Sequence, residues 1–310
     1  MIPSISELEA DDVPKVCELF QNVFGQTIST EYWRWKYQLG PRLGGLNFVA
    51  KTAGGDLLGH AGAGVFPGIM GGAPLVMAQV CDIMVARCAR GAYSATTVYP
   101  RLMKTMQETL LKRYVDPYAY GFAGVRQFKL GTRLGYYREL HPYRPCYLTP
   151  AGIADARHGC WMVREMAWDI ERLDRIWSRR AAEISRPTVS RSGAYLRWRY
   201  QNHPGNSYQL WLLTHLWRDR GWFITRTMPS GEICIVDALL PAAADPRHQV
   251  AMLASALAKS MPALPPIYSW LFQTADSTSA HPVIGGEFKL ARWHDETPRP
   301  SFQPGDTDVF

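Results

Sequence analysis

Paired cysteines are the first thing this sequence lacks. Its six cysteines (Cys17, Cys81, Cys88, Cys146, Cys160, Cys234) are scattered, with no C-x-x-C and no tight spacing. That excludes a disulfide scaffold and fits a reducing, cytoplasmic setting. The eight histidines form no H-E-x-x-H and no ligand spacing with cysteine, so no metal is expected. Continuous basic runs are also missing. The net charge of +7 is spread out, mainly over the first half, which suits a phosphate-bearing small molecule and argues against a nucleic-acid partner. Met1-Ile2-Pro3-Ser4 leads into Glu7, Glu9, Asp11 and Asp12, acidic where an export signal needs a basic start and an apolar stretch. Ala61 to Cys81 carries no formal charge over 21 residues, but five Gly and two Pro interrupt it. It reads as strand, turn, strand, not as a membrane span. What is left is ordinary globular composition, 47% hydrophobic and 20% charged over 310 residues. That is enough for one large core or two smaller ones, and it excludes disorder, collagen and coiled coil.

The chain repeats itself. Tyr32-Trp33-Arg34-Trp35-Lys36-Tyr37-Gln38 with Pro41 returns as Tyr195-Leu196-Arg197-Trp198-Arg199-Tyr200-Gln201 with Pro204, six identical positions at a constant offset of 163. Each copy follows a helical pattern (Asp12 to Phe24, Asp169 to Ala182) and precedes a hairpin (Asn47 to Val65, Tyr208 to Thr227), the second with its turn at Arg218-Asp219-Arg220-Gly221. An apolar strand with one acid comes next in both, Val80 to Val85 with Asp82 and Ile235 to Leu240 with Asp237. Then come helical patterns, Thr96 to Arg113 and His248 to Ser260, and short strands, Ala119 to Ala123 and Ile267 to Leu271. This order predicts a mixed α/β module used twice, each a mostly antiparallel sheet flanked by helices. The boundary falls near residue 145, giving domains 1–145 and 146–310. Tyr143 to Ala156 is either a connector or a strand closing the first sheet. The Pro-rich, polar tail Pro298 to Phe310 reads as loosely packed.

The segment Val85 to Ala95 joins a buried strand to a helix. Small residues there let backbone N–H groups face an anion, the helix dipole favours phosphate, and Arg87 and Arg90 add forked donors. The plainer reading is a tight turn with two solvated arginines. Arg90-Gly91-Ala92-Tyr93-Ser94-Ala95 resembles the R/Q-x-x-G-x-G/A signature of the GNAT superfamily of acyl-CoA-dependent N-acyltransferases, with Tyr93 in place of the central glycine. Leu134-Gly135-Tyr136 resembles the family's L-G-F/Y. Tyr32 to Tyr37 is similar to the W-x-W-K-Y element of tandem bacterial members associated with amino-sugar and polysaccharide biosynthesis. The resemblance is good over residues 5 to 145 and weaker from 165 to 295. It implies that backbone groups of Ile83, Met84 and Val85 grip the pantetheine and polarise the acyl carbonyl. Arg87, Arg90, Gly91, Ala92, Tyr93, Ser94 and Ala95 would hold the pyrophosphate of acetyl-CoA or another acyl-CoA. The acceptor it implies is a small amine, an amino sugar or an amino acid. The family's usual tyrosine acid falls on Gly131 here. The matching loop of the second copy, Ala242 to His248, has no glycine and carries Asp245. One active module beside a degenerate one is therefore expected, with a catalytically inactive binding protein as the alternative.

Asp82 is the one carboxylate in its apolar strand, so it is either a general base for the amine or a structural acid buried against an arginine or backbone N–H groups. Its recurrence as Asp237 favours the second. His60 is a proton relay or a hydrogen-bonded structural histidine. Tyr93 is a substitute acid for the thiolate or packs over the loop. The aromatic element around Trp33 and Trp35 builds either an acceptor pocket or, more commonly for such residues, core with snorkelling cations.

Overall fold

A computed structural model describes residues 3–91, 96–140, 146–148, 160–241, 246–259, 263–270, 286–288 and 300–307. The chain divides into two units. The first is Met1–Ile69, Pro74–Leu140 and Gly285–Pro298; the second is Met70–Ala73, His141–Ile284 and Arg299–Phe310.

In the first unit the elements are β1 (Ser4–Glu7), α1 (Val13–Phe24), α2 (Thr30–Tyr37), β2 (Gly44–Lys51), β3 (Leu57–Met70), β4 (Ala73–Val85), α3 (Val98–Arg113), β5 (Tyr118–Gly121), α4 (Val125–Arg133) and β6 (Tyr137–Glu139). The helices form where apolar residues return every third or fourth position. Val13, Val16 and Leu19 line one face of α1, and Leu102, Met103, Met106 and Leu110 line one face of α3. Gly25, at φ 74°, ends α1 in the left-handed region. The Ser29 side chain caps α2 by accepting from the Tyr32 N–H. The uncharged run Ala61 to Cys81 is indeed strand, turn, strand, with Gly71 and Gly72 at φ 58° and 80° making the turn between β3 and β4. The sheet runs β1-β2-β3-β4-β5, and a late strand, Gly286–Phe288, lies between β5 and β6. β1, β2 and β3 pair antiparallel, and β4 pairs with β5 in parallel. Trp33 and Tyr37 pack with the buried residues of α1, Val49 and Met84, so this half of the repeated element is core.

The second unit contains β7 (Cys146–Leu148), β8 (Trp161–Glu165), α5 (Ile170–Arg180), β9 (Thr188–Val189), α6 (Gly193–Leu196, continued by a π-helical turn, Arg197–Gln201), β10 (Gln209–His215), β11 (Arg218–Thr227), β12 (Ile233–Leu239), α7 (Pro246–Ala258) and β13 (Ile267–Ser269). The strand at Gly286–Phe288 in the first sheet is β14. The six-stranded sheet of the second unit runs β7-β13-β12-β11-β10-β8. Trp211, Leu213, Phe223, Ile235, Leu253 and Leu257 fill the core between sheet and α7. The two modules of the sequence are thus two mixed sheets with helices.

Three expectations are corrected. The β10–β11 turn is Leu216-Trp217, both at positive φ (48° and 64°), while Arg218 to Gly221 lie inside β11. The strand in the Tyr143–Ala156 stretch pairs with β13 of the second sheet and does not close the first. The tail is not loose over residues 300–307, where Phe302, Asp306 and Thr307 are buried.

Candidate active site

β4 is shaped by two departures from a regular ladder. Its pairing with β5 covers Met77–Gln79 against Tyr118–Tyr120, yet β4 continues to Val85. Inside that continuation Asp82 takes φ 51°, a left-handed conformation that short polar residues tolerate best. A residue so placed in a strand bends it and re-aims the following peptides. Gly59 on β3 lets the end of β4 and α3 close in. A Cβ there would stand 2.7 Å from Val98 Cγ1 and 2.8 Å from the Met84 carbonyl oxygen.

The bend is held by side chains brought from far along the chain. Lys36 Nζ donates to both Asp82 carboxylate oxygens at 2.8 Å, and Tyr37 Oη donates to Oδ2 at 2.7 Å. Both donors come from the last turn of α2, so the repeated aromatic element delivers its cation and its hydroxyl to the acid. A Cβ at Gly62 would lie 2.5 Å from Tyr37 Oη and 2.8 Å from its ring, so the glycine makes room for that tyrosine. Burial pushes the Asp82 carboxyl up, but the Lys36 charge and the hydrogen bonds from Lys36 and Tyr37 outweigh it and hold the group below its ordinary value.

His60 is fully buried, and its Nδ1 lies 2.9 Å from the Asp82 carbonyl oxygen. Burial pushes its pKa down, the hydrogen bond to Asp82 and the Asp82 charge resist, and the net direction is toward the neutral ring. Its Nε2 lies 3.2 Å from the Asn47 side-chain Oδ1, so the ring is held at both nitrogens. The Tyr37 ring stands edge-on to the imidazole.

Beyond β4, Arg87–Ala89 form one 3₁₀ turn; Arg87, Arg90 and Gly91 are exposed. Arg90 Nε donates to the Val85 carbonyl at 2.9 Å, tying this turn to the end of β4. Ile83 and Val85 are half-buried and Met84 is buried. Ala92, Tyr93, Ser94 and Ala95 lie outside the described residues. At Gly131 any side chain would collide with the Tyr137 ring, whose hydroxyl accepts from Tyr99 Oη at 3.2 Å. Burial, with Tyr99 adding, pushes Tyr137 well up, so it stays protonated. Among the described residues no cluster of three or more His, Cys, Asp or Glu is arranged to hold a metal, and no helix is long and apolar enough to cross a membrane.

The second unit rebuilds the acid's surroundings with other parts. Tyr200 Oη donates to Asp237 Oδ2 at 2.7 Å, as Tyr37 does to Asp82. The cation is Arg191, whose Nε is 3.1 Å from Asp237 Oδ2 and whose Nη2 is 2.6 Å from Asp306 Oδ2. Arg199, which aligns with Lys36, instead donates to the carbonyls of Gly305 and Thr307. Gly305 leaves the space that the Tyr200 hydroxyl occupies. The Asp237 carboxyl is pushed up by burial, pulled down by Arg191 and pushed up by Asp306, with a net upward direction. Lys36 and Tyr37 were the functional side chains hardest to see in sequence, and the signal for them was the joint recurrence of tyrosine and acid.

A sheet whose fourth strand outruns its parallel ladder with the fifth and feeds an arginine-bearing turn and a helix, followed by a second unit with a mixed sheet of its own, is the fold of tandem GNAT proteins. Residues 4–138 match the model of the Acetyltransferase (GNAT) domain family, and the class that this domain defines is the acyl-CoA-dependent N-acyltransferase. The structure is similar to a probable N-acyltransferase from Enterococcus faecalis V583 (TM-score 0.70, 12% identity, 93% of this chain and 72% of that one). It is also similar to a GCN5-related N-acetyltransferase from Anabaena variabilis ATCC 29413 (0.66, 12%, 92% and 72%). A tandem GNAT protein from the clavulanic acid biosynthesis pathway is matched over nearly its whole length (0.56, 12%, 92% and 97%). No curated protein matches the sequence.

Proposed function

We propose that the first unit is the catalytic one, moving an acetyl or longer acyl group from acyl-CoA to the amine of a small soluble acceptor, an amino sugar or an amino acid, in the cytoplasm. The observation that carries this reading is β4, which outruns its ladder with β5, bends at Asp82 and ends in Arg87, Arg90 and Gly91 before α3. Backbone groups of Ile83 to Val85 serve the pantetheine and the acyl carbonyl. Arg87, Arg90 and the loop from Gly91 to Ala95 serve the pyrophosphate, with the positive end of α3 behind them. The thioester supplies an activated acyl carbon. The amine nitrogen bonds to that carbon, the C–S bond breaks with its electron pair leaving on sulfur, and the proton lost by nitrogen ends on the thiolate. Asp82 is structural in this reading. Its oxygens already accept three strong hydrogen bonds, and a carboxyl held low is a weak base. With glycine at 131, we assign proton delivery to the Tyr93 hydroxyl.

A catalytically idle acyl-CoA-binding protein is the second reading. The Tyr137 ring over Gly131 favours it, because the family's acid has no room there. Calorimetry with CoA, acetyl-CoA and longer acyl-CoAs, followed by thiol release over a panel of amino sugars and amino acids, separates the two. We expect binding that Arg90→Glu weakens by roughly tenfold or more and Arg247→Glu leaves unchanged. Equal effects of the two variants refute a single active unit. Binding without turnover by any amine selects the idle protein, and no binding at all refutes both readings.

A further inference from the structure

We propose that His60 is a positioning residue, acting through the Asp82 carbonyl to aim the Ile83 N–H at the acyl carbonyl oxygen; this rests on the acyltransferase reading above. The peptide between Asp82 and Ile83 is planar and trans, so its C=O and N–H point in opposite directions. The carbonyl end is fixed by the hydrogen bond from His60 Nδ1, and the N–H of Ile83 therefore points away from His60. An unclamped peptide next to a left-handed residue in a strand is free to rotate about the bend. Here it is held from two sides, since the Asp82 side chain is pinned by Lys36 and Tyr37 while its carbonyl is pinned by His60. His60 is itself fixed, fully buried, with Asn47 on its far nitrogen and the Tyr37 ring against it. A donor that is already aimed costs no reorganisation when negative charge develops on the oxygen, which is where such donors gain their effect.

The comparison between units separates this clamp from the general architecture. Tyrosine, acid and cation all return around Asp237, but β11, the strand beside β12, contains no histidine. The acid's surroundings were rebuilt in the second unit; the imidazole was not.

The test compares His60→Asn, whose amide N–H replaces the Nδ1 donor, with His60→Gln, whose amide reaches the Nε2 position, and with His60→Leu, which has no donor. Turnover is measured alongside the carbonyl stretch of [¹³C=O]acetyl-CoA bound to each purified full-length variant. We expect His60→Gln and His60→Leu to lose about tenfold to a hundredfold in kcat, less than the roughly 10²–10³ that follows outright deletion of an oxyanion donor. KM for acyl-CoA should stay within about twofold, because a donor that acts mainly in the transition state leaves ground-state binding largely untouched. Their bound carbonyl stretch should move back toward that of free acetyl-CoA, and His60→Asn should restore both readouts. If His60→Leu does not fold, the Asn and Gln pair alone decides. Equal behaviour of the Asn and Gln variants, or a carbonyl stretch that no variant moves, overturns the proposal while leaving the acyltransferase reading intact. Failure of the wild-type protein to bind acetyl-CoA overturns both. Binding without turnover refutes only the catalytic reading, and the carbonyl stretch then still tests the clamp.

Discussion

Replacing Lys36 by methionine should cost far more than the loss of one ion pair at the surface. The Lys36 and Asp82 side chains are 11% and 8% exposed, and Lys36 supplies two of the three hydrogen bonds made to the carboxylate by Lys36 and Tyr37. Lys36→Met strands a buried charge with Tyr37 alone, for which about 3–5 kcal/mol is expected, against about 0–1 kcal/mol for an exposed pair. Asp82→Asn keeps a residue that tolerates φ 51° and leaves a lysine whose long stem can carry its ammonium toward water. Its cost should be smaller, about 1–3 kcal/mol. The double variant removes both charges and should recover part of the single-variant loss, with a coupling of about 2–3 kcal/mol. Urea unfolding of the four proteins, followed by circular dichroism at neutral pH, reads these differences. The pH dependence gives a second signature. In the wild type the Asp82 carboxyl is held low, so its contribution is present above the unfolded value near 3.8 and is lost as pH falls through the lower folded value. Without Lys36, burial would raise the folded value above the unfolded one, so the deficit of Lys36→Met should shrink as pH falls from neutral toward acid. A Lys36→Met loss below about 1 kcal/mol, or a deficit that grows with acid, would refute the reasoning.

Gly62→Ala should push Tyr37 off Asp82, because the new methyl would sit 2.5 Å from the Tyr37 hydroxyl; urea unfolding should show a loss of about 1–3 kcal/mol, and a neutral effect would mean that the ring moves freely. Replacing Leu216-Trp217 by Asn-Gly should stabilise the chain by roughly 1–2 kcal/mol, since both residues sit at positive φ in a two-residue hairpin turn and Trp217 is 88% exposed. A lowered Tm for that variant would show that the tryptophan makes a stabilising contact.

The fold was legible because its signals are local and repeated. Periodicity marks α1 and α3, glycine pairs mark the turn before β4, and the return of one aromatic element announces two modules. The Leu216-Trp217 turn was hidden because neither residue has turn chemistry, whereas Arg218 to Gly221 has it and lies in a strand. The tail was misread because Asp306 looks solvated by composition. Its charge is in fact buried against Arg191, which lies 115 residues earlier. β14 was invisible for the same reason, a three-residue strand whose partners are more than a hundred positions away. At the site, Asp82 and His60 stood out as polar residues in apolar strands, but what bound them together did not. Lys36 reads as a solvated cation until α2 is folded against β4.

The two acids carry the strongest argument about which parts of the site are architecture. Asp82 and Asp237 both accept from the tyrosine that ends the repeated element, yet one carboxyl is held low and the other is pushed up. The difference follows from the cation. Lys36 donates two hydrogen bonds to Asp82, while Arg191 is divided between Asp237 and Asp306, and the second carboxylate opposes ionisation of the first. A structural brace needs only its hydrogen bonds, and the bonds from tyrosine and cation to the acid persist in both units. On the proposed reading of one catalytic unit, its chemistry draws on what the second unit does not repeat. Among the described residues that feature is the imidazole on the Asp82 carbonyl, for which β11 offers no histidine.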